Sequence, residues 1–235
     1  MELLTRAECG LRTPTCHTEL PTRDIKGIAI HYTAAYSDEF GDAKARWRAV
    51  QAFHMSPAAG GGEGPWCDVA YNFGFRDDLV LTGRGWNRRS AGQGTNEGND
   101  HYIAFCYLGT DKLGRRDISP LEVKTMTQFI SLAEDHYRKE LVVKPHSAFH
   151  STECPGDELR AVINLAPWKG SHPGGAVVYP KNWFLWAEWK LGEGRYKGQT
   201  PGDLAIRPDG LPPRGSPVFE KWYELLEEFL ARRNQ

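Results

Sequence analysis

Apolar and polar positions alternate along the chain with two different periods. Residues 25–32 (IKGIAIHY) alternate and are rich in Ile, which predicts a β-strand. Residues 42–55 (DAKARWRAVQAFHM) bring Trp47, Val50 and Phe53 or His54 to one face at helical spacing. VAYNFGFR at 69–76 and LVLTG at 79–83 read as a hairpin turning at Asp77 and Asp78. The unbroken apolar run at 102–108 (YIAFCYL) predicts a buried strand. Ser119-Pro120-Leu121-Glu122 is a helix start, with Ser119 as cap, Pro120 in the first position and Glu122 completing a capping box. Val123, Met126, Ile130, Ala133 and Tyr137 follow at helical spacing. A short segment at 141–143 leads into a loop over 144–156, and DELRAVINLA predicts a helix at 157–166. Gly-rich stretches at 57–65 and 91–100 read as loops.

The pattern changes after residue 166. Gly and Pro crowd 166–180, and aromatic residues follow: Trp183, Phe184, Trp186, Trp189 and Tyr196. A final helix is predicted from Ser216 and Pro217, with Phe219, Trp222, Leu226 and Phe229 as its stripe. The expected organisation is a main domain over 1–168, a linker over 169–182 and an aromatic-rich element over 183–235. The Trp residues at every third position are expected first as the core of a two-helix unit, because so short an element needs large side chains to bury itself. Stacking on sugar rings is the alternative for any that stay exposed.

With 235 residues, 40% hydrophobic and 25% charged, the composition is that of a globular protein. A formal net charge of −1 gives no global field that would draw nucleic acid or an anionic membrane. No stretch approaches the roughly 18 apolar residues that span a bilayer. The first residues lack a basic segment followed by an apolar run, so a soluble product made in the cytoplasm without a signal peptide is expected. Five cysteines at irregular spacing do not form a disulfide framework. Free thiols are expected, with Cys9 and Cys16 as the pair that could join and Cys106 as a buried structural thiol.

Two histidines stand in unusual places. His31 ends an apolar strand, and His146 opens the run HSAFHSTECPG, which carries Cys154 eight residues later. Two imidazoles and a thiolate suit zinc, and three protein ligands leave a fourth position for water, as in catalytic sites. His150, four residues from Cys154, is a rival ligand that spacing alone does not exclude.

Several blocks, taken in order, resemble the type-2 N-acetylmuramoyl-L-alanine amidases, a family that includes phage lysozyme-type amidases and peptidoglycan recognition proteins. They are TRAECGLR at 5–12 (with Cys9 in place of the family's Trp), IKGIAIHYTA at 25–34, RAVQAFHM at 48–55, CDVAYNFGFRDDLVLTGRGW at 67–86, YIAFCYLG at 102–109 and HSAFHSTECPGDEL at 146–159. The resemblance implies an α/β fold with a central mixed sheet flanked by helices and a groove over the zinc. It implies His31, His146 and Cys154 as zinc ligands, with His150 between ligand positions. It implies Tyr71 and Thr152 as catalytic groups, and Asn72, Trp86 and Gln93 as substrate contacts. The implied reaction is zinc-dependent hydrolysis of the amide between N-acetylmuramic acid and L-alanine in peptidoglycan. The expected setting is a monomeric phage endolysin that binds neither nucleic acid nor membrane and reaches the wall after release. The alternative is a recognition module that grips peptidoglycan without cutting it. The chain departs from the family pattern at Ser147-Ala148 (Arg-Asp in relatives), at Thr82 (often Glu) and at Ala91-Gly92-Gln93 (often an Ala-His pair).

Overall fold

The computed structural model describes residues 1–34, 42–62, 64–109 and 118–165. The expected linker at 169–182 and the aromatic element at 183–235, with Trp183, Trp186 and Trp189, lie outside the described residues. The chain separates into two compact units, Met1–Arg160 and Ala161–Gln235, and the sheet belongs to the first.

Six strands form one mixed sheet: β1 (Glu2–Leu4), β2 (Gly27–Tyr32), β3 (Phe73–Arg76), β4 (Leu79–Thr82), β5 (Tyr102–Tyr107) and β6 (Val142–Pro145), in the order β1-β4-β3-β5-β2-β6. Only the β3–β4 hairpin is antiparallel, and it turns at Asp77, whose φ of 52° is one that Asp tolerates in turns. β5 lies inside the sheet, flanked by β2 and β3, and all six of its residues are buried, as an apolar run without alternation requires. β1 was not anticipated, and the short segment after residue 140 proves to be a strand beside β2. The hairpin's first strand begins at Phe73 rather than at residue 69.

Helices cover both faces. α1 (Ala43–His54) is capped by Asp42, whose carboxylate accepts from the Ala45 N–H. Its Trp47 is fully buried, and a Cβ on Gly74 would stand 3.0 Å from that indole. α3 (Pro120–Tyr137) starts with the anticipated capping box of Ser119 and Glu122. Its Phe129 packs against Phe105 and Phe73 at 4.0 and 4.9 Å between ring centres. The expected 91–100 loop contains a six-residue helix, α2 (Asn96–His101), capped by Thr95. α4 (Asp157–Leu165) lies where expected.

One buried carboxylate ties the N-terminal segment to this frame. Both oxygens of Asp68 take hydrogen bonds from Arg6 at 2.8 Å, and Oδ1 also accepts from Gln51 of α1 and from the Val69 N–H. Arg6 donates in addition to the Gly83 carbonyl at the end of β4. A buried carboxylate with this many donors has its oxygens satisfied and fixes the geometry of all its partners.

The cysteines correct the expectation of free thiols. Cys16 is joined to Cys67, with Cα atoms 5.2 Å apart, and Cys9 does not pair with Cys16. Cys9 lies fully buried among Leu4, Trp47, Val69, Leu81 and Leu108, where an apolar thiol packs as a small hydrophobe. The periodicity of α1 left open whether Phe53 or His54 faces inward. His54 does, and Phe53 is exposed. The His54 ring stacks on Trp66 at 5.1 Å, and Nδ1 accepts from the Ala70 N–H at 3.1 Å. Burial, reinforced by Arg84 and opposed by Asp68, pushes its pKa down to about 4.

Two outcomes follow for stability. The Cys16–Cys67 bond closes a 51-residue separation, so chain entropy assigns it about 4 kcal/mol. Cys16→Ser is expected to lower the thermal midpoint by roughly 10 °C, read by calorimetry under non-reducing conditions. His54 is neutral in the fold down to about pH 4 and titrates at its ordinary 6.5 when unfolded. Its contribution is therefore complete above pH 6.5 and lost as pH falls towards 4, at most roughly 3 kcal/mol. His54→Asn is expected to flatten the dependence of unfolding free energy on pH across that window, the histidines common to both proteins cancelling in the difference.

Candidate metal centre

Register builds the centre. β2 runs parallel to β6 with Ile30 opposite Pro145, so the next residues, His31 and His146, emerge side by side at the same edge of the sheet. Their ring centres are 4.4 Å apart. His146 opens a one-turn 3-10 helix, His146–Ala148, and the chain then returns so that the Ser147 N–H donates to the Cys154 carbonyl at 3.1 Å. Phe149 anchors this return by packing on Tyr102 at 4.7 Å. The Cys154 sulfur accepts from the Tyr32 N–H at 3.4 Å and lies 3.8 Å from His31 Nδ1.

One donor atom from each of His31, His146 and Cys154 lies within 4.8 Å of the other two. Nε2 of both imidazoles is buried without a hydrogen-bond partner. Burial, then the neighbouring His146, holds the His31 pKa well below its ordinary value. Burial and His150 push His146 to about 4, against the opposing Gln93 carbonyl. Both rings are thus neutral at neutral pH, the form that ligates a metal. Neutral imidazoles with unpartnered nitrogens beside a thiol fit a zinc ion by donor type and by number. His150, the competitor by spacing, is exposed, with its ring 6.1 Å from that of His146, and stands outside the cluster.

Tyr71 stands against this cluster. Its ring is 5.1 Å from that of His31, 5.4 Å from His54 and 6.3 Å from Trp47, and part of its surface stays open. Burial, then the Cys106 and Cys154 sulfurs, raises its pKa well above the ordinary value, so the phenol keeps its proton. Thr152 lies in the loop before Cys154, and its hydroxyl oxygen accepts from the Cys154 N–H at 3.2 Å.

The three expected substrate contacts have other work. Asn72 is buried, donates to the Gly85 and Arg88 carbonyls and accepts from the Ala104 N–H. Gln93 is fully buried, with its amide donating to the Tyr102 carbonyl and accepting from Ser90. Trp86 packs on Phe73, Phe129 and His136, on the α3 side of the sheet and away from His31. Asn72 and Gln93 are thus engaged with the scaffold, and Trp86 is half-buried.

Two neighbours escaped sequence reasoning. A Cβ on Gly92 would stand 3.0 Å from the Tyr71 ring and 3.4 Å from His31, so only glycine fits there without displacing them. Cys106 lies beside His31 in the β2–β5 register. The signal for the second was present: a cysteine paired in register with a ligand histidine shares its face.

Residues 21–157 match the N-acetylmuramoyl-L-alanine amidase family. Peptidoglycan recognition protein 1 of Bos taurus is 26% identical over 167 residues, covering 70% of this chain and 84% of that protein. Its Mus musculus counterpart is 28% identical over 170 residues, covering 68% and 85%. Wild-type Drosophila PGRP-LB superimposes with a TM-score of 0.60 at 24% identity, covering 71% of this chain and 95% of that one. The PGRP-LCa and PGRP-LCx ectodomain complex with tracheal cytotoxin matches with a TM-score of 0.60 at 26% identity, covering 71% and 97%. The family match spans more than half of the sequence, and the chain belongs to the type-2 N-acetylmuramoyl-L-alanine amidase family, alongside the peptidoglycan recognition proteins.

Proposed function

We propose that the chain is a zinc-dependent amidase that hydrolyses the amide between the lactyl group of N-acetylmuramic acid and L-alanine in bacterial peptidoglycan. One observation carries this reading: two neutral imidazoles and a thiol converge within 4.8 Å, next to a protonated, partly open tyrosine. His31, His146 and Cys154 would hold the ion. When bound, zinc would supply a polarising charge for the amide carbonyl and a water of lowered pKa.

The protein's own groups do the rest. The Tyr71 phenol, kept protonated, donates a hydrogen bond to the oxyanion that develops on the carbonyl. The Thr152 oxygen is already engaged by the Cys154 N–H, which leaves the hydroxyl proton for a second substrate oxygen. Drosophila PGRP-LB and the PGRP-LCa–PGRP-LCx pair are known in complex with tracheal cytotoxin, which supports a peptidoglycan fragment as the ligand class. The setting we propose is that of a phage endolysin made in the host cytoplasm and acting on the wall after release. The Cys16–Cys67 bond suits action on the oxidising side of a membrane. The rival reading is a recognition module that binds without cutting, favoured by the names of the curated relatives.

Digestion of purified peptidoglycan separates the two. New L-alanine amino termini are expected, and they disappear with a chelator and return with added zinc. A zinc-loaded protein that binds peptidoglycan yet releases no L-alanine termini is the recognition module. Cys154→Ala is expected to lower bound metal from about one zinc per chain to well below that, by elemental analysis, and to reduce cleavage to the chelated background. Wild-type activity in that variant would remove Cys154 from the ligand set.

A further inference from the structure

The loop between β4 and α2 carries a buried polar set next to the ligand cluster. Gln93 is fully buried, and both ends of its amide are used: Nε2 donates to the Tyr102 carbonyl at 2.9 Å, and Oε1 accepts from the Ser90 hydroxyl at 2.6 Å. Its backbone N–H donates to Asn99 Oδ1 of α2 at 3.1 Å. Gly98 of α2 makes room for it, since a Cβ there would stand 2.5 Å from Gln93 Cβ. One residue earlier the loop meets the site. A Cβ on Gly92 would lie 3.0 Å from both Cδ1 and Cε1 of Tyr71 and 3.4 Å from Cε1 of His31, so the Gly92 backbone is a wall against both rings. On the other side of Gly92, the Ala91 N–H donates to the Ala70 carbonyl at 2.9 Å, next to Tyr71 itself.

Tyr71 needs such a wall more than His31 does. His31 is a residue of β2 and is paired to β5. Tyr71 precedes β3 by two residues and belongs to no strand, so its ring is kept in place by what surrounds it. Trp47 and His54 of α1 stand 6.3 and 5.4 Å away between ring centres, and Gly92 is the contact from the loop. Glycine is the least restrained of residues, so where Gly92 stands is set by its neighbours. The Ala91 anchor is a backbone bond that any residue but proline supplies. The anchor at residue 93 is a side chain, and it is specific.

We propose that Gln93 is a positioning residue for Tyr71: by bonding its amide to the Tyr102 carbonyl and to Ser90, it holds Gly92 against the tyrosine ring and so keeps the phenol beside the ligand cluster. A glutamine suits the place because it is uncharged and offers a donor to the carbonyl and an acceptor to the hydroxyl. An apolar side chain of the same length would fill the space, but it would leave the Tyr102 carbonyl without this donor and Ser90 without its nearer acceptor. The kinetic consequence rests on the amidase reading, and the placement of the ring does not.

The test pairs kinetics with a spectroscopic readout on the zinc-loaded full chain. Gln93→Met, which keeps the length of the side chain, is expected to lower kcat roughly 10- to 100-fold through a misplaced phenol, with KM within about 2-fold and bound zinc unchanged. In a Tyr71→Phe background the same change is expected to cost nothing further, because the hydroxyl it misplaces is already gone. The Tyr71 ring proton resonances, assigned by their absence in Tyr71→Phe, are expected to move in Gln93→Met as the ring shifts in the ring-current field of Trp47, His54 and His31. Gly92→Ala, which presses on the ring and leaves the Gln93 bonds in place, is expected to move the same resonances. A glutamine that only stabilises the fold would lower the thermal midpoint and leave kcat and the Tyr71 resonances as they are, and that result overturns the proposal. So does a loss of kcat that is equally large in the Tyr71→Phe background. Should Gln93→Met fail to fold, Ser90→Ala removes one of the two amide partners and is expected to show the same changes to a smaller degree; unmoved Tyr71 resonances there and in Gly92→Ala overturn the proposal. The resonances need no turnover. Their movement in a chain that does not cleave peptidoglycan would support the placement of Tyr71 by Gln93 and remove the amidase reading alone.

Discussion

The candidate centre depends on one constraint, the parallel register of β2 with its two neighbours. Pairing Ile30 with Pro145 sends His31 and His146 off the same edge together, and pairing His31 with Cys106 sets the thiol beside them. A slip of one residue would turn His31 to the opposite face, because side chains alternate along a strand. The faces are unequal in a way that resists such a slip. The α3 side carries Ile28, Ile30, Phe73, Phe75, Ile103 and Phe105, all buried. The other side carries Gly27, Ala29, Gly74 and Ala104. Large side chains drive the sheet against α3, while small ones leave space on the far face for Trp47, Tyr71 and the ligand cluster. The same hydrophobic burial that stabilises the domain therefore also makes room for the chemistry.

Tyr71 is held by a second, independent frame. Asp68 gathers Arg6, Gln51 and the Val69 N–H, and the His54 imidazole takes the Ala70 N–H. Two consecutive backbone amides before Tyr71 are thus fixed by buried side chains from different parts of the chain. The Cys16–Cys67 bond pins the same segment one residue before Asp68. A group proposed to meet a developing charge gains from such preorganisation, because no rearrangement is needed at the moment of reaction.

Much of this was legible in the sequence. The His31 strand, the α3 capping box and the buried β5 run each follow from local pattern and sit where pattern put them. The ligand trio became distinct from His150 only through the resemblance, since spacing along an irregular loop does not say which side chain turns inward. The surroundings of the expected substrate contacts were hidden for a related reason. Asn72, Gln93 and Trp86 are polar or aromatic residues near site positions in sequence, but whether such a side chain faces a groove or satisfies buried backbone groups is decided by partners far away in the chain. Asn72 serves Gly85, Arg88 and Ala104, none of which its local sequence identifies. The Cys16–Cys67 pair is equally non-local, and the reducing compartment assumed for the chain argued against it.

The departures from the family pattern can be weighed in the same terms. Thr82, where relatives often carry Glu, donates to the Leu4 carbonyl at 2.7 Å and so seals β4 to β1. Ser147 replaces an Arg, yet its contribution to the loop is a backbone N–H donated to the Cys154 carbonyl, which any residue but proline supplies. Side-chain support for the loop comes instead from Arg160, which donates to the Glu153 carbonyl and pairs with Asp157. The guanidinium reaches the loop from α4 rather than from the position after the ligand histidine. Gln93 closes the set by bonding to the Tyr102 carbonyl at the start of β5. Thr82, Ser147 and Gln93 thus each make a scaffold contact of their own, and the three donor atoms stay within reach of a single ion. At Gly92 the difference acts directly against the cluster, because a Cβ there would stand 3.0 Å from the Tyr71 ring and 3.4 Å from His31.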